Sequence, residues 1–230
     1  MPRLQLGAEV RAFELTFMDC DGVIFDANAL KERAFVQAVA SYPEAARQQL
    51  AEHHRGHGGI SRYAKFRHFF EHIHPVDDVE EAIAQALERF GAIAKAGYAE
   101  LTPRPEALRF ASHMGGAERV VVVSGADQTE LRAVFAGQGL ADRFAAIYGS
   151  PTPKGEHMAA IMARRGLSPD QVLMVGDGRG DLEAARGLGI PFVFLREMSK
   201  WQSADDHLGD YAAAHVADRW AVLLEWLVSP

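Results

Sequence analysis

Five short groups of residues in this chain have types and spacings suited to moving a charged group. Asp19-Cys20-Asp21-Gly22 puts two carboxylates two residues apart at a bend that Gly22 permits. Ser124-Gly125 pairs a hydroxyl with a flexible amide able to face an oxyanion. Lys154 follows Pro151-Thr152-Pro153 where a helix should begin, so its ammonium would add to the positive end of the helix dipole. Gly176-Asp177-Gly178-Arg179-Gly180-Asp181 carries acids four apart in a glycine-rich loop of the kind that offers oxygen to hard cations. His57-Gly58-Gly59-Ile60-Ser61-Arg62, with Lys65 a turn further on, is a flexible loop bearing cations.

Taken singly, each group has an ordinary explanation. An isolated Asp-x-Asp-Gly is usually a solvated turn, a lone lysine at a helix start is usually surface, and an acidic glycine loop is commonly an Asx-turn. Together the first four supply a carboxylate nucleophile, a second carboxylate for proton transfer, a seat for a hard cation and two groups for an oxyanion. Phosphoryl transfer requires those parts and little else.

The elements that must position them are short apolar runs: Leu15 to Met18, Val120 to Val123, Ala145 to Tyr148, Val172 to Val175 and Pro191 to Leu195. Each has strand length, and helix-period segments such as 105–114 and 128–136 lie between them. Continuous apolar strands joined by helical crossovers predict a doubly wound parallel α/β sheet, Rossmann-like, with the chemical groups at its carboxyl edge. Residues 26–103 read differently. They show helix-period stretches at 28–40, 61–73 (Tyr63, Phe66, Phe70, Ile73) and 79–94 (Ile83, Leu87, Phe90), with Ser61 a candidate N-cap. The expected organisation is a core of 1–25 and 104–230 interrupted by a helical cap domain at 26–103.

The order of the groups across residues 15 to 181 resembles the four motifs of the haloacid dehalogenase superfamily, in its phosphatase form with a helical cap after the first motif. The resemblance implies that Asp19 attacks phosphorus to form an aspartyl phosphate and that Asp21 acts as acid, then base. Ser124, Gly125 and Lys154 would hold the phosphoryl group. Mg2+ would sit among Asp19, Asp21 (through its backbone carbonyl), Asp177 and Asp181, the last directly or through water. Gly178 stands where many relatives have serine. Asp21 argues against halide displacement, because members that displace halide lack an acid there. Substrate discrimination would fall to the cap, with Arg62 and Lys65 the nominated contacts. A phosphomutase would use the same intermediate, a phosphonate hydrolase would need a cap lysine such as Lys31 or Lys65 for a Schiff base, and a binding or regulatory protein retaining the fold is the non-enzymatic reading.

Composition narrows the partners. With 24 Lys+Arg against 31 Asp+Glu the formal net charge of the 230-residue chain is −7, which gives no general attraction for nucleic acid or anionic lipid. No apolar run approaches the ~20 residues of a membrane span. A single cysteine, Cys20, excludes an intrachain disulfide framework, and the cytoplasm is the expected compartment. The expected partner is a small phosphorylated metabolite. The cap histidines include pairs at i, i+4, His53/His57 and His68/His72, but without matched carboxylates or cysteines they read as exposed helix residues rather than a zinc site. Cys20 reads as a packed thiol.

Overall fold

The computed structural model describes residues 1–58 and 60–228. Among these the elements are, in chain order, β1 (Arg3–Leu6), β2 (Glu9–Ala12), β3 (Leu15–Met18), α1 (Asn28–Ala38), α2 (Glu44–Gly56), α3 (Arg62–His68), a π-helical turn (Phe69–Ile73), α4 (Val79–Ala99), α5 (Pro105–His113), α6 (Gly116–Arg119), β4 (Val120–Asp127), α7 (Gln128–Gly137), β5 (Ala146–Ser150), α8 (Lys154–Arg165), β6 (Val172–Gly176), α9 (Arg179–Leu188), β7 (Phe192–Leu195), α10 (Ala204–Leu208), β8 (Ala214–Ala217), α11 (Trp220–Glu225) and β9 (Leu227–Val228). Six strands form one parallel sheet in the order β5-β4-β3-β6-β7-β8. The chain therefore winds outward from β3 in both directions, as the alternation of apolar runs and helices requires.

The period of two along these strands assigns their side chains to opposite faces. Met18, Val120, Val122, Leu173, Val175, Val193 and Leu195 belong to one buried cluster, whereas Leu15, Phe17, Val121, Val123, Met174, Phe192 and Phe194 belong to the other. Burial on both faces is why the strands read as continuous apolar runs rather than alternating ones. The N- and C-terminal strands pair separately as a small antiparallel sheet, β2-β1-β9. It was not foreseen, because runs of two to four mixed residues carry too little pattern.

Between β3 and β4 stand the helices of the insert. Asp78 caps α4, accepting from the Glu81 amide at 3.1 Å, and Ser61 caps α3 through the Ala64 amide at 3.4 Å. The insert packs around Phe35, Phe66, Phe69, Phe70 and Phe90, with Phe35 and Phe90 centroids 4.6 Å apart. The backbone leaves the core through a turn in which Ile24 and Phe25 amides both bond the Cys20 carbonyl. On returning, the Arg104 amide bonds the Ile24 carbonyl at 2.8 Å, so the outgoing and incoming connections are tied together.

Several expectations shift in detail. Ser124 and Gly125 lie within β4 rather than beyond it, because β4 continues to Asp127 past a register irregularity against β5. The apolar stripe of the second insert helix is Phe66, Phe69 and Phe70 together with Arg62 and Lys65, not Tyr63. These positions keep the helical period, but two of the five carry cations, so the apolar residues alone point to a neighbouring face. A separate helix, α2, was not resolved from its neighbours in the sequence. Cys20 is a buried free thiol, and burial, with Asp21 and Asp19 alongside, pushes it well above the usual thiol range.

Of the two histidine pairs, His72 is exposed as expected, whereas His53, His57 and His68 are half-buried. The His53 ring lies between His57 and His68, with centroids 4.1 and 4.0 Å away and planes 22° and 14° from parallel. Cofacial rings do not direct their nitrogens at one ion, and among the described residues no group of three histidines, cysteines or acids converges in the insert. Burial, with His57, His68 and Lys65 nearby, lowers His53 from 6.5 to about 4. Its neutral form is thus favoured by the fold, while the unfolded chain takes up the proton below the ordinary value. Stability should fall as pH drops from ~6.5 towards ~4. For a partly screened ring the contribution is ~1 kcal/mol or less. A His53→Gln variant should lose up to ~2–4 °C less of its Tm than the parent between pH 7 and pH 5, measured by thermal unfolding in metal-free buffer; parallel curves would show that the stack does not titrate with folding.

Candidate functional site

Asp19 directly follows β3, and its amide bonds the Val175 carbonyl at 2.9 Å. The Met18–Val175 register therefore sets Asp19 beside the end of β6, where Asp177 follows. Gly22 closes the turn with φ +80°, and a Cβ there would lie 1.9 Å from Asp177 Oδ2. That position needs both the left-handed conformation and the missing side chain.

The four acids of the first and fourth motifs meet in one cavity edge, all buried. Oxygens of Asp19, Asp177 and Asp181 lie within 4.8 Å of one another. Lys154, at the first position of α8, reaches Asp19 Oδ1 at 2.7 Å and Asp181 Oδ1 at 2.6 Å. Asp19 Oδ1 meets that ammonium out of line for a hydrogen bond and has no other partner. Asp181 is fully engaged, since its Oδ2 accepts from the Gly178 amide at 3.0 Å. The Ser124 hydroxyl accepts from the Ala126 amide at 3.1 Å and stands 3.4 Å from Asp21 Oδ2. Gly125 lines the same cavity.

Electrostatics at this edge are unbalanced. Burial, then the charge of Asp181 offset by Lys154, lifts Asp19 to about 7. Burial and the charges of Asp19 and Asp181 raise Asp177 well above the carboxylate range. Although burial opposes it, Asp181 and Asp19 hold Lys154 above its ordinary value. Crowded hard oxygen donors with disfavoured charge fit a small dication such as Mg2+.

The insert contributes groups that the sequence did not place on the acids, Lys31 having been named only as a candidate Schiff-base lysine. Lys31 from α1 pairs with Asp21 Oδ2, and the Tyr98 hydroxyl from the last turn of α4 donates to Asp21 Oδ1. Asn28 donates to Asp177 Oδ2 and to the Met198 carbonyl, both at 2.8 Å. The only readable sign was position. Tyr98 continues the buried α4 series Ala86, Phe90, Ala94, so a hydroxyl falls on an apolar stripe and must find a partner. Asn28 and Lys31 begin the first helix after the motif.

Both nominated insert cations are buried against the cavity, Arg62 at 5% and Lys65 at 2% exposure. Arg62 is engaged with the core: its guanidinium lies 2.8 Å from Glu130 and 3.8 Å from Asp127 and 5.0 Å over the Phe90 ring. Tyr63 also donates to Asp127, at 2.9 Å. Lys65 instead donates to His54 Nδ1 at 2.7 Å. Gly59 lies outside the described residues. Its neighbour Gly58 accepts from the Gly180 amide at 2.9 Å, and a Cβ on Gly58 would come within 3.3 Å of Gly178 Cα.

The profile of the haloacid dehalogenase-like hydrolase family matches residues 13–189, and the chain belongs to that family. A phosphoglycolate phosphatase of Rhodospirillum rubrum is 29% identical over 117 residues, 49% of this chain and 47% of that protein, so the match spans about half the relative's length. A phosphoglycolate phosphatase of Salmonella typhi is 42% identical over 43 residues, 19% of this chain and 17% of that protein. Among solved structures, a hydrolase from Pseudomonas syringae superposes with TM-score 0.72 at 15% identity over 92% of this chain and 96% of its own. CbbY from Rhodobacter sphaeroides, in complex with phosphate, gives 0.67 at 18% identity over 92% and 99%. These structural likenesses show the shared fold: a parallel sheet flanked by helices. No helix among the described residues is long and apolar enough to cross a membrane.

The Gly22 geometry is directly testable. Gly22→Ala should destabilise the protein by ~1–3 kcal/mol through strain and the approach to Asp177. Gly7→Ala, at φ +61° with nothing within 4 Å, should cost ~1 kcal/mol from backbone strain alone. Urea unfolding of both variants checks this, and equal losses would mean that Asp177 yields to the methyl group.

Proposed function

We propose that the chain is a phosphomonoesterase acting on a small phosphorylated metabolite, with Asp19 as nucleophile. The observation that carries this is the convergence of Asp19, Asp21, Ser124, Lys154, Asp177 and Asp181 at one buried edge of the sheet. Phosphoglycolate, named by two relatives, is the first substrate to try. A cytoplasmic location accords with the lone, buried Cys20.

In the proposed reaction Asp19 attacks phosphorus, the bond from phosphorus to the leaving oxygen breaks, and Asp21 delivers a proton to that oxygen. Asp21, now a carboxylate, takes a proton from water, which attacks phosphorus and releases inorganic phosphate and Asp19. Tyr98 holds Asp21 in position, and Lys31 must yield its place on Asp21 to the leaving group. The Lys154 ammonium, the Ser124 hydroxyl and the backbone at Gly125 receive phosphoryl oxygens. Asp19 and Asp177, with the Asp21 carbonyl, would hold Mg2+, and Asp181, whose oxygens are both engaged, would act through water. When bound, the ion would neutralise the carboxylates and the developing phosphoryl charge. The insert, acting as a cap over residues 26–103, would exclude water from the phosphoenzyme.

Asp19→Asn should abolish hydrolysis of an aryl phosphate and prevent any acid-stable, hydroxylamine-sensitive phosphoenzyme. In EDTA the same variant should melt no lower than the parent above pH 7, where the raised Asp19 value means that its charge opposes folding. Residual turnover beyond a trace would remove Asp19 from its role. EDTA should silence the parent enzyme and Mg2+ restore it; full activity in verified metal-free protein would contradict the proposed cation requirement.

A further inference from the structure

Among the described residues three cationic side chains are buried: Lys154, Arg62 and Lys65. Two are already matched by carboxylates, Lys154 by Asp19 and Asp181 and Arg62 by Glu130 and Asp127. Arg62 Nε has no acceptor among the described residues, but the guanidinium charge is compensated and the side chain ties the insert to α7. Lys31, less deeply buried, is matched by Asp21. Lys65 alone of the buried three makes no ion pair among the described residues. Its amine rests on His54 Nδ1 and 5.3 Å over the Phe35 ring, lining the same cavity as Asp19 and Asp21.

A buried cation without a counter-charge is unfavourable. Burial and the nearby Lys31 accordingly lower Lys65 well below the ordinary lysine range, though Asp21 and Asp177 pull the other way. Burial and Lys65 likewise keep His54 well below the imidazole range, so His54 accepts at Nδ1 without adding a second charge. The pair forms a fixed donor in the cavity that Asp19, Asp21 and Gly125 also line, and the missing member is an anion. A single ammonium matches one negative charge, which favours a carboxylate over a second, doubly charged phosphoryl group.

Granting a phosphomonoesterase at this site, on which the assignment rests, we propose that Lys65, held by His54, binds a carboxylate on the leaving group, so that the substrates are short phosphorylated hydroxy acids, while Arg62 fastens the insert to the core. The two insert cations thereby have different jobs, one towards substrate and one towards the protein.

The test compares kcat/KM, with Mg2+ present, for phosphoglycolate, for hydroxyethyl phosphate (equal in length but without the carboxylate) and for 4-nitrophenyl phosphate. The parent enzyme should favour phosphoglycolate over hydroxyethyl phosphate by about ten- to a hundredfold. Lys65→Met should collapse that ratio to within about threefold, chiefly through KM for phosphoglycolate, and Lys65→Arg should restore part of it. Arg62→Ala should lower both two-carbon substrates together. Ligand-free Lys65→Met should melt at or above the parent, because an uncompensated buried ammonium has been replaced by an apolar chain of similar size; a purely structural lysine would give a lower Tm and equal losses on all three substrates, and either result overturns the assignment. If the parent cleaves the aryl phosphate but shows no preference for the carboxylate, the Lys65 assignment fails and the phosphatase reading stands. If it cleaves none of the three, the phosphatase reading fails and takes this assignment with it.

Discussion

The structure depends on one electrostatic conflict: four buried carboxylates, Asp19, Asp21, Asp177 and Asp181, share an edge of the sheet with Lys154 and Lys31 as their direct counter-charges. Removing carboxylates from water is unfavourable unless each is paired or bonded. Here the pairing is incomplete, as the raised values of Asp19 and Asp177 record. What holds the groups in place is the backbone beneath them. Asp19 continues β3 and Asp177 continues β6, two adjacent strands buried on both faces by separate apolar clusters. The core supplies the stability, and the edge it presents is left short of positive charge. Under the proposed function a bound dication would offset that shortfall and let a phosphate approach the acids.

This division also explains what could be read from the sequence. Strands buried on both faces announce themselves as unbroken apolar runs, and the residues at their ends then occupy known places. Asp19, Asp21, Ser124, Lys154, Asp177 and Asp181 were legible because each lies at or near such an end. The insert was legible only as helical. Its contributions come from residues whose importance depends on how two helices cross a gap, which no local period encodes. Tyr98 and Asn28 are 77 and 149 residues away from the carboxylates they bond. Arg62 and Lys65 were visible as cations but not as different in kind, since the distinction lies in Glu130 on α7 and Asp127 at its N-cap, beyond the reach of any local pattern. The stripe in α3 was misassigned for a related reason, because two of its buried positions are the cations Arg62 and Lys65, which an apolar repeat passes over.

The insert and the core share one apolar cluster, and they also meet through the site's own polar groups. Lys31 and Tyr98 take both oxygens of Asp21, Asn28 holds Asp177, and Gly58 accepts from Gly180 in the loop after β6. Gly58 itself lies close to the Gly178 backbone, since a Cβ on it would come within 3.3 Å of Gly178 Cα. The position of the insert and the environment of the acids are consequently one variable rather than two.

From that coupling a sequence of events follows. In the proposed reaction a substrate that reaches Asp21 would displace the Lys31 ammonium, weakening one tie between insert and core as the chemistry begins. Tyr98 on Asp21 and Asn28 on Asp177 remain at the acids, and away from them stand Arg62 with Glu130, Tyr63 with Asp127 and the Gly180 amide on the Gly58 carbonyl. If the leaving group carries a carboxylate to Lys65, it replaces the lost tie with a new one between substrate and insert. Closure is then strongest for a ligand that satisfies both ends of the cavity. A substrate with a phosphoryl group alone would displace Lys31 without returning anything to the insert, so discrimination would arise from how long the closed state lasts as well as from the contact itself.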